Sequence, residues 1–298
     1  MTKSVKNKKF YEFWIALRYT NLKNTNQFIS FISLTSIIGI TLGVMALIIV
    51  LSVMNGFQAE LKSRILSVTS HIEITKPGKD LNNWQQTKET IANNMDIKGV
   101  SPYVADQAMI SVGKRNRGVM VRGIFPEIEK DVNDINTKIS SGAYRLNAGQ
   151  YNILIGVDLA RYLGVSVGDK IAMISSKSNF SAAGIMPRLK RFNISGIFDS
   201  GMYEYDAGLV LINLKDAQTF FKTNNNVSGL RVELNEIDDT EKISGYLKNI
   251  FSYDPFIYVS DWRAQHANLF AAIKLEKKVM FIILTLIIAV AAFNIVST

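Results

Sequence analysis

The chain has 298 residues, a formal net charge of +9 and no cysteine. Without thiols, disulfide staples, thiol catalysis and the cysteine-based metal motifs are excluded. The charge divides into +5 over residues 1–23 and +4 (28 cations minus 24 anions) over residues 60–278, and the second value is too mild to imply a nucleic-acid partner.

Residues 1–23 hold Lys3, Lys6, Lys8, Lys9, Arg18 and Lys23 against a single Glu12. Within them the aromatic stretch 10–19 reads as a short amphipathic helix on a membrane surface. Residues 24–59 then carry no charge at all. A membrane-crossing helix needs roughly 20 apolar residues, so a first span is expected over 24–58. The run is too long for a secretory signal and no small-residue cleavage site follows it. The basic flank places residues 1–23 in the cytoplasm and the 60–278 segment on the far side. Ser36, Gly39, Gly43 and Ala46 line one helix face, and Gly39 with Gly43 forms a small-xxx-small pair that lets a second helix approach closely.

The helix is expected to run on through residues 58–66. Alternation in His71-Ile-Glu-Ile-Thr75 predicts a strand, residues 81–94 a helix, and 99–104, 109–112 and 118–125 further strands, together one small α/β unit. From about Pro126 the texture changes to short strands punctuated by Gly and Ser. A strand at 152–156, a helix at 157–163, a turn at 164–169 and strands up to 212 predict an inserted β-rich subdomain. A helix at 214–223, a strand at 227–234, a helix at 240–251 and a strand at 256–259 form a late set that can pair with the early unit. Residues 261–278 read as a helix entering a second uncharged run, 279–298, expected to be a second span. Lys274, Lys277 and Lys278 crowd its outer end. Because the chain stops inside this run, further spans are expected beyond Thr298.

Chemistry is sparse. No phosphate-binding loop occurs, and the turn at 164–169 has no helix behind it. His71 and His266 are the only histidines and stand in no ligand pattern. Asp199, Glu204 and Asp206 read as a solvated turn. No serine occupies a nucleophile elbow. The chain is therefore not expected to be an enzyme, nor to hold a metal or cofactor of its own.

One connection between strands is unusual. Gly184-Ile-Met-Pro-Arg-Leu-Lys-Arg-Phe192 puts Arg188, Lys190 and Arg191 around Leu189, behind Pro187. Cations and apolar side chains, Met186 and Leu189 among them, are thus concentrated in one connection. A second candidate site lies at the outer end of the spans. Val50, Met54 and Phe57 fall on one helical stripe, with Met280 and Phe281 at similar depth on the second run. Flexible Met and flat Phe suit varied acyl chains, although ordinary packing of the spans accounts for the same pattern.

Several stretches resemble the LolC/LolE family, the membrane subunits of the lipoprotein-releasing ABC transporter. They are Ile40-Thr-Leu-Gly-Val-Met-Ala46, Leu51-Ser-Val-Met-Asn-Gly-Phe57, Tyr151-Asn-Ile-Leu-Ile-Gly156, Leu163-Gly-Val-Ser-Val-Gly-Asp169, Leu269-Phe-Ala-Ala-Ile-Lys-Leu-Glu-Lys-Lys-Val-Met280 and Val290-Ala-Ala-Phe-Asn-Ile-Val-Ser-Thr298. The resemblance implies an α+β membrane protein of the Gram-negative inner membrane. It divides into a cytoplasmic segment (1–23), a first span (24–58), a two-part periplasmic α/β porter (59–125 and 214–262), an inserted sabre subdomain (126–213) and a helix leading into the second span (263–298). It implies a hook hairpin at 177–192, where Met186, Pro187, Arg188, Leu189, Lys190, Arg191 and Phe192 would meet a periplasmic carrier chaperone similar to LolA. The order of the cations departs from the familiar hook. Positions matching Met54 and Phe57 line the family's lipoprotein cavity. The implied partners are a cytoplasmic LolD-like ATPase that binds the ATP, a second permease subunit or a second copy, and lipoprotein substrates. The hook disfavours a subunit without carrier contact. Rival expectations are a MacB/FtsX-type permease and a two-span periplasmic sensor.

Overall fold

The computed structural model describes residues 11, 15, 27–66, 68–92, 94–181 and 184–297, with side chains except at 27–30, 32–33, 176–181, 184–186, 265, 291 and 294–297. The chain divides into two compact units, residues 1–58 with 268–298, and residues 59–267.

The first unit contains two long helices. α1 (Gln27–Leu66) includes a segment, 34–66, whose most apolar window has a mean hydropathy of 2.8. The other helix is α9 (Ala267–Ser297). The two pack where α1 presents small residues. A methyl group on Gly43 would sit 3.3 Å from Ile288 Cγ1, tighter than ordinary contact, so the glycine lets the two helices approach closely. Gly39 is half-buried on the same stripe. Lys277 Nζ donates to Asn55 Oδ1 at 2.8 Å and to Gln58 Oε1 at 2.6 Å, which ties the pair at its charged end. The expected surface helix at 10–19 lies largely outside the described residues.

The second unit is a mixed α/β domain. In chain order it comprises β1 (Ile72–Thr75), α2 (Trp84–Ala92), β2 (Ile97–Val112), β3 (Arg115–Ile124), α3 (Pro126–Glu129), β4 (Ile139–Gly142), β5 (Asn152–Gly156) and α4 (Val157–Leu163). β6 (Lys170–Ser181), β7 (Gly184–Phe198), α5 (Tyr203–Gly208), β8 (Leu209–Asn213), α6 (Leu214–Phe221) and β9 (Gly229–Leu234) follow, then α7 (Thr240–Ile250), β10 (Tyr258–Asp261) and α8 (Trp262–Gln265). Instead of one helix from 261 onward, the chain breaks at His266 before α9 begins.

The early and late strands form a wing, β10-β1-β9-β2. β2 is long enough to serve two neighbours on one edge. Its first half pairs with β9, and Ala108 to Ser111 pair with β6. Because β6 also pairs with β7, the ring β2-β3-β8-β5-β7-β6 closes on itself. A six-stranded ring has room inside only for side chains. Its interior is filled by Ala108, Ile110, Val119, Val121, Ile153, Ile155, Ile171, Met173, Phe192, Ile194, Val210 and Ile212, all in one buried cluster. The alternate residues Leu154, Leu209 and Leu211 face a second cluster with Val68, Ile124, Ile135, Leu146 and Phe198. Strand β8 is thus covered on both sides, and its run Leu-Val-Leu-Ile is buried throughout. The expected boundary at 126 runs through this barrel, since β2 and β3 belong to it as much as β5 to β8. α6 closes one end, seated so tightly that a methyl group on Gly123 of β3 would lie 2.2 Å from Ala217 Cβ.

Beneath the second cluster lies a buried polar network. Arg231 of β9 is 0% exposed, ion-paired to Glu129 of α3, and donates to the Val68 carbonyl at 2.8 Å. Glu129 also accepts from Ser101 Oγ at 2.7 Å and from Asn133 Nδ2 at 2.5 Å. Arg122 donates to the same Val68 carbonyl at 3.2 Å, and burial lowers its pKa, with Arg231 adding to the effect. Removing one partner of such a pair leaves a bare buried charge. Arg231→Met should therefore cost about 3–5 kcal/mol in denaturant unfolding, and adding Glu129→Leu should recover most of it.

A second pair sets a pH dependence. Burial, then Lys98 and Lys62, lower the pKa of His71 to about 4, and burial raises that of Glu233 to about 8. His71 Nε2 lies 3.5 Å from Glu233 Oε1, and its Nδ1 accepts the Leu234 N–H at 3.0 Å. A raised glutamate stabilises the fold in its protonated form, and that contribution is lost as pH rises through 8. The depressed histidine contributes above 6.5, and its contribution is lost as pH falls through 4. Between pH 6.5 and 8 the glutamate acts alone, so thermal melts should show stability falling across that window. Glu233→Gln should flatten the fall.

Candidate functional site

β6 and β7 form one long antiparallel hairpin, with Ser178 paired to Pro187 and Ser181 to Gly184. Beyond residue 175 the hairpin leaves its neighbour β2, and among the described residues no other strand of the sheet pairs with its far end. The backbone of Met186 pairs with Asn179, and its side chain lies outside the described residues. The register also shifts between Ile174 and Ser178, where the hairpin departs from the barrel.

Strand alternation sorts the remaining residues onto two faces. Arg188, Lys190 and Phe192 share the inner one. Arg188 donates to the Phe220 carbonyl at 3.2 Å. Lys190 Nζ sits 3.7 Å above the Tyr151 ring. Phe192 is fully buried, edge-on to Tyr151 at 5.6 Å and to Phe220 at 6.0 Å. The expectation that Phe192 meets a partner is corrected: a side chain with no exposed surface cannot touch one, and it anchors the hairpin's base instead. Asp216 holds the loop under this base by accepting from Gly149 N at 2.7 Å and Tyr151 N at 3.1 Å. On the outer face, Leu189 is 60% exposed, and Pro187 and Arg191 are exposed. The structure therefore brings Pro187, Leu189, Lys190 and Arg191 to the surface, with Lys190 also resting on the Tyr151 ring, and holds half-buried Arg188 against the barrel mouth. The mixture of charge and apolar surface follows from this alternation.

The second candidate group is divided. Val50 and Met54 are half-buried and lie 7 and 11 residues beyond Gly43, on the stripe where α1 meets α9. Phe57 shares the stripe but is 50% exposed. On α9, Met280 is half-buried and Phe281 is 54% exposed. The clamp from Lys277 to Asn55 and Gln58 had no place among the sequence expectations. Its only signal was a lysine cluster at the mouth of an uncharged run. The acidic turn at 199–206 closes on itself: Asp206 accepts from Ser200 N at 2.9 Å and Ser200 Oγ at 2.8 Å.

Residues 33–250 match the family model of the MacB-like periplasmic core domain. The chain is 41% identical over 288 residues to the lipoprotein-releasing system transmembrane protein LolC of Neisseria meningitidis, covering 96% of this chain and 69% of the relative. It is 31% identical over 294 residues to the lipoprotein-releasing system transmembrane protein LolE of Haemophilus influenzae, covering 96% and 69%. Among solved structures, the periplasmic region of MacB from Actinobacillus actinomycetemcomitans aligns with a TM-score of 0.43 and 10% identity, covering 69% of this chain and 94% of that one. On the strength of these relatives the chain belongs to the LolC/LolE family of lipoprotein-releasing system transmembrane proteins.

Proposed function

We propose that this protein is the permease subunit of an ABC transporter that releases lipoproteins from the Gram-negative inner membrane and passes them to a soluble periplasmic carrier. The observation that carries the reading is the 41% identity to a LolC protein across 96% of the chain. α1 and α9 act as membrane spans, consistent with their uncharged runs of 20 or more residues. Residues 1–23 face the cytoplasm, with six cations against one anion, and residues 60–278 face the periplasm. The wing corresponds to the porter, and the barrel with its hairpin to the sabre.

This chain's part is mechanical and adhesive. A separate LolD-like ATPase binds and hydrolyses ATP in the cytoplasm. A second permease subunit, or a second copy, completes the membrane cavity, and Met54, Phe57 and Phe281 suit its apolar lining. The hairpin acts as the hook, with Leu189 and Pro187 entering an apolar groove on the carrier. The charges of Arg188, Lys190 and Arg191 steer an acidic rim toward it. A tethered cation still contributes to long-range attraction, because that depends on charge and not on side-chain freedom.

The test is photo-crosslinking in cells from a probe at position 189, with Asn147 as an exposed control site. A specific adduct to a small soluble periplasmic protein from position 189 alone is expected. No adduct from a folded, membrane-inserted protein would leave a permease without carrier docking, and a MacB-like role would replace the present one. Phe192→Ala offers an independent check on the hook's base. Losing a buried aromatic costs about 3–5 kcal/mol, so the barrel should be destabilised even where no carrier is present.

A further inference from the structure

We propose that the cleft between the start of α2 and α6 is a binding site for a glycan built of N-acetylated amino sugars. Two amide-rich stretches far apart in sequence, Asn82-Asn-Trp-Gln-Gln86 and Asn224-Asn-Asn226, are brought together there. Leu81 and Val227 form a backbone bridge, with Leu81 N donating to the Val227 carbonyl at 2.7 Å. Trp84 Nε1 donates to the Asn225 carbonyl at 3.2 Å, and Gln218 Nε2 of α6 donates to the Asn226 carbonyl at 3.2 Å. The cleft framed by these bonds has a volume of about 580 Å³, within the range of small-molecule sites.

The lining combines two chemistries. Trp84 and Phe125 are half-buried, packed on the main core and tilted against one another with ring centroids 6.5 Å apart. Aromatic faces carry negative potential, so the flat array of C–H groups on a pyranose packs against them. Gln85, Gln218, Asn224 and Asn225 line the same cleft. A carboxamide holds a donor and an acceptor side by side, and a sugar hydroxyl is both, so these side chains match hydroxyls and the amide of an N-acetyl group in pairs. Gln85, Asn224 and Asn225 are exposed, and among the described residues their side chains make no hydrogen bond within the protein. Lys215 and Lys222 stand beside the amides, where a carboxylate or phosphate on the sugar would meet them.

The loop that presents these amides is built and held. Lys222, Asn224 and Asn225 have φ of +56, +50 and +65°, and Asn83, beside Trp84, has φ +53°. Left-handed backbone outside glycine persists where the surroundings fix it, and it concentrates where ligands are gripped. Here buried Thr223 does the fixing: its N–H donates to the Gln218 carbonyl at 3.2 Å and its Oγ1 to the Asn226 carbonyl at 3.1 Å. The ligand thus meets aromatic rings seated on the core and amides on an anchored loop. The proposed function places this domain in the periplasm, which offers two sources of such sugars, cell-wall glycan strands and the headgroups of glycolipids. The cleft itself does not depend on that placement.

The test is saturation-transfer NMR on the full-length protein in lipid nanodiscs, with soluble probes. One is a peptide-free tetrasaccharide of alternating N-acetylglucosamine and N-acetylmuramic acid, for the cell wall. Another is a phosphorylated N-acetylglucosamine disaccharide, for a glycolipid headgroup. The third is cellotetraose, which has neither N-acetyl groups nor charge. Binding of an amino-sugar probe is expected, with about tenfold weaker binding of cellotetraose, and the stronger of the two amino-sugar probes identifies the source. Asn224→Gly with Asn225→Gly removes two carboxamides and keeps the left-handed backbone and the carbonyl that Trp84 uses. That variant should weaken binding about tenfold with the melting temperature nearly unchanged, and Gln85→Ala, on a helix that suits alanine, should weaken it in the same sense. Gln86→Ala, exposed outside this cleft, should leave binding as it is. No binding of either amino sugar, equal binding of cellotetraose, or binding that survives both variants overturns the site. The assay needs neither carrier nor cargo, so its outcome is independent of the crosslinking at position 189.

Discussion

The periplasmic fold depends on one carbonyl group. Val68 is the second residue beyond the end of α1, and its oxygen receives both Arg231 at 2.8 Å and Arg122 at 3.2 Å. Arg231 sits between Glu73 of β1 and Ser101 of β2 in register, and its charge is balanced by Glu129 of α3. β1, β2, β3, α3 and β9 thus meet where the chain leaves its long helix. A buried pair of this kind is a weak source of net stability, because desolvation offsets much of the attraction. Its worth lies in geometry. It fixes the Val68 carbonyl to β9 through Arg231 and to β3 through Arg122, within one unit of the chain.

From that joint the outer sheet face is continuous. Arg122 and Met120 follow one another on β3, and Gly118, Met109, Ile174 and Leu189 continue across the barrel to the hairpin. The inner face is a closed apolar interior with α6 at its mouth. The barrel therefore isolates the hairpin from the wing: the hairpin's base is fixed by Phe192, Tyr151 and Phe220, and its far end projects past β2. A rigid base with a free end limits the entropy lost on docking to the few residues that project.

Much of this was legible in the sequence, and the failures share a cause. The helix at 157–163 was readable because Gly164 ends it at φ +70 with the chain reversing at once. The strands at 152–156 and 209–213 were readable as apolar runs. The pairing of the late set with the early one followed from the order of elements, and β10-β1-β9-β2 is the result. The barrel was not legible, because closure depends on Ala108 to Ser111 pairing with β6 across more than sixty intervening positions, and no local pattern encodes that. The short helices at 126–129 and 203–208 were missed because four to six residues give too little periodicity to read. Phe192 was expected at the carrier contact because the resemblance to the family's hook carried it there. Counting alternation from Ile194, which is buried, would have put it inside.

The hairpin's composition now has a physical account that separates contact from attraction. Arg188 and Lys190 sit over a carbonyl and an aromatic ring at the barrel mouth, so their alkyl stems help cover the aromatic base while their charges stay near water. A partner approaching from solution meets the same three positive charges whether or not the side chains are held. On the proposed reading, a docked carrier touches the other face, where Leu189 stands 60% exposed. Replacing Leu189 by a polar residue should therefore shorten the lifetime of the bound state and leave the rate of encounter nearly unchanged. Removing Lys190 should do the reverse and should also loosen the base, since Tyr151 loses its cation. On the proposed reading, Leu189 governs dissociation and the three charges, with Arg191 beside Leu189 on the outer face, govern association.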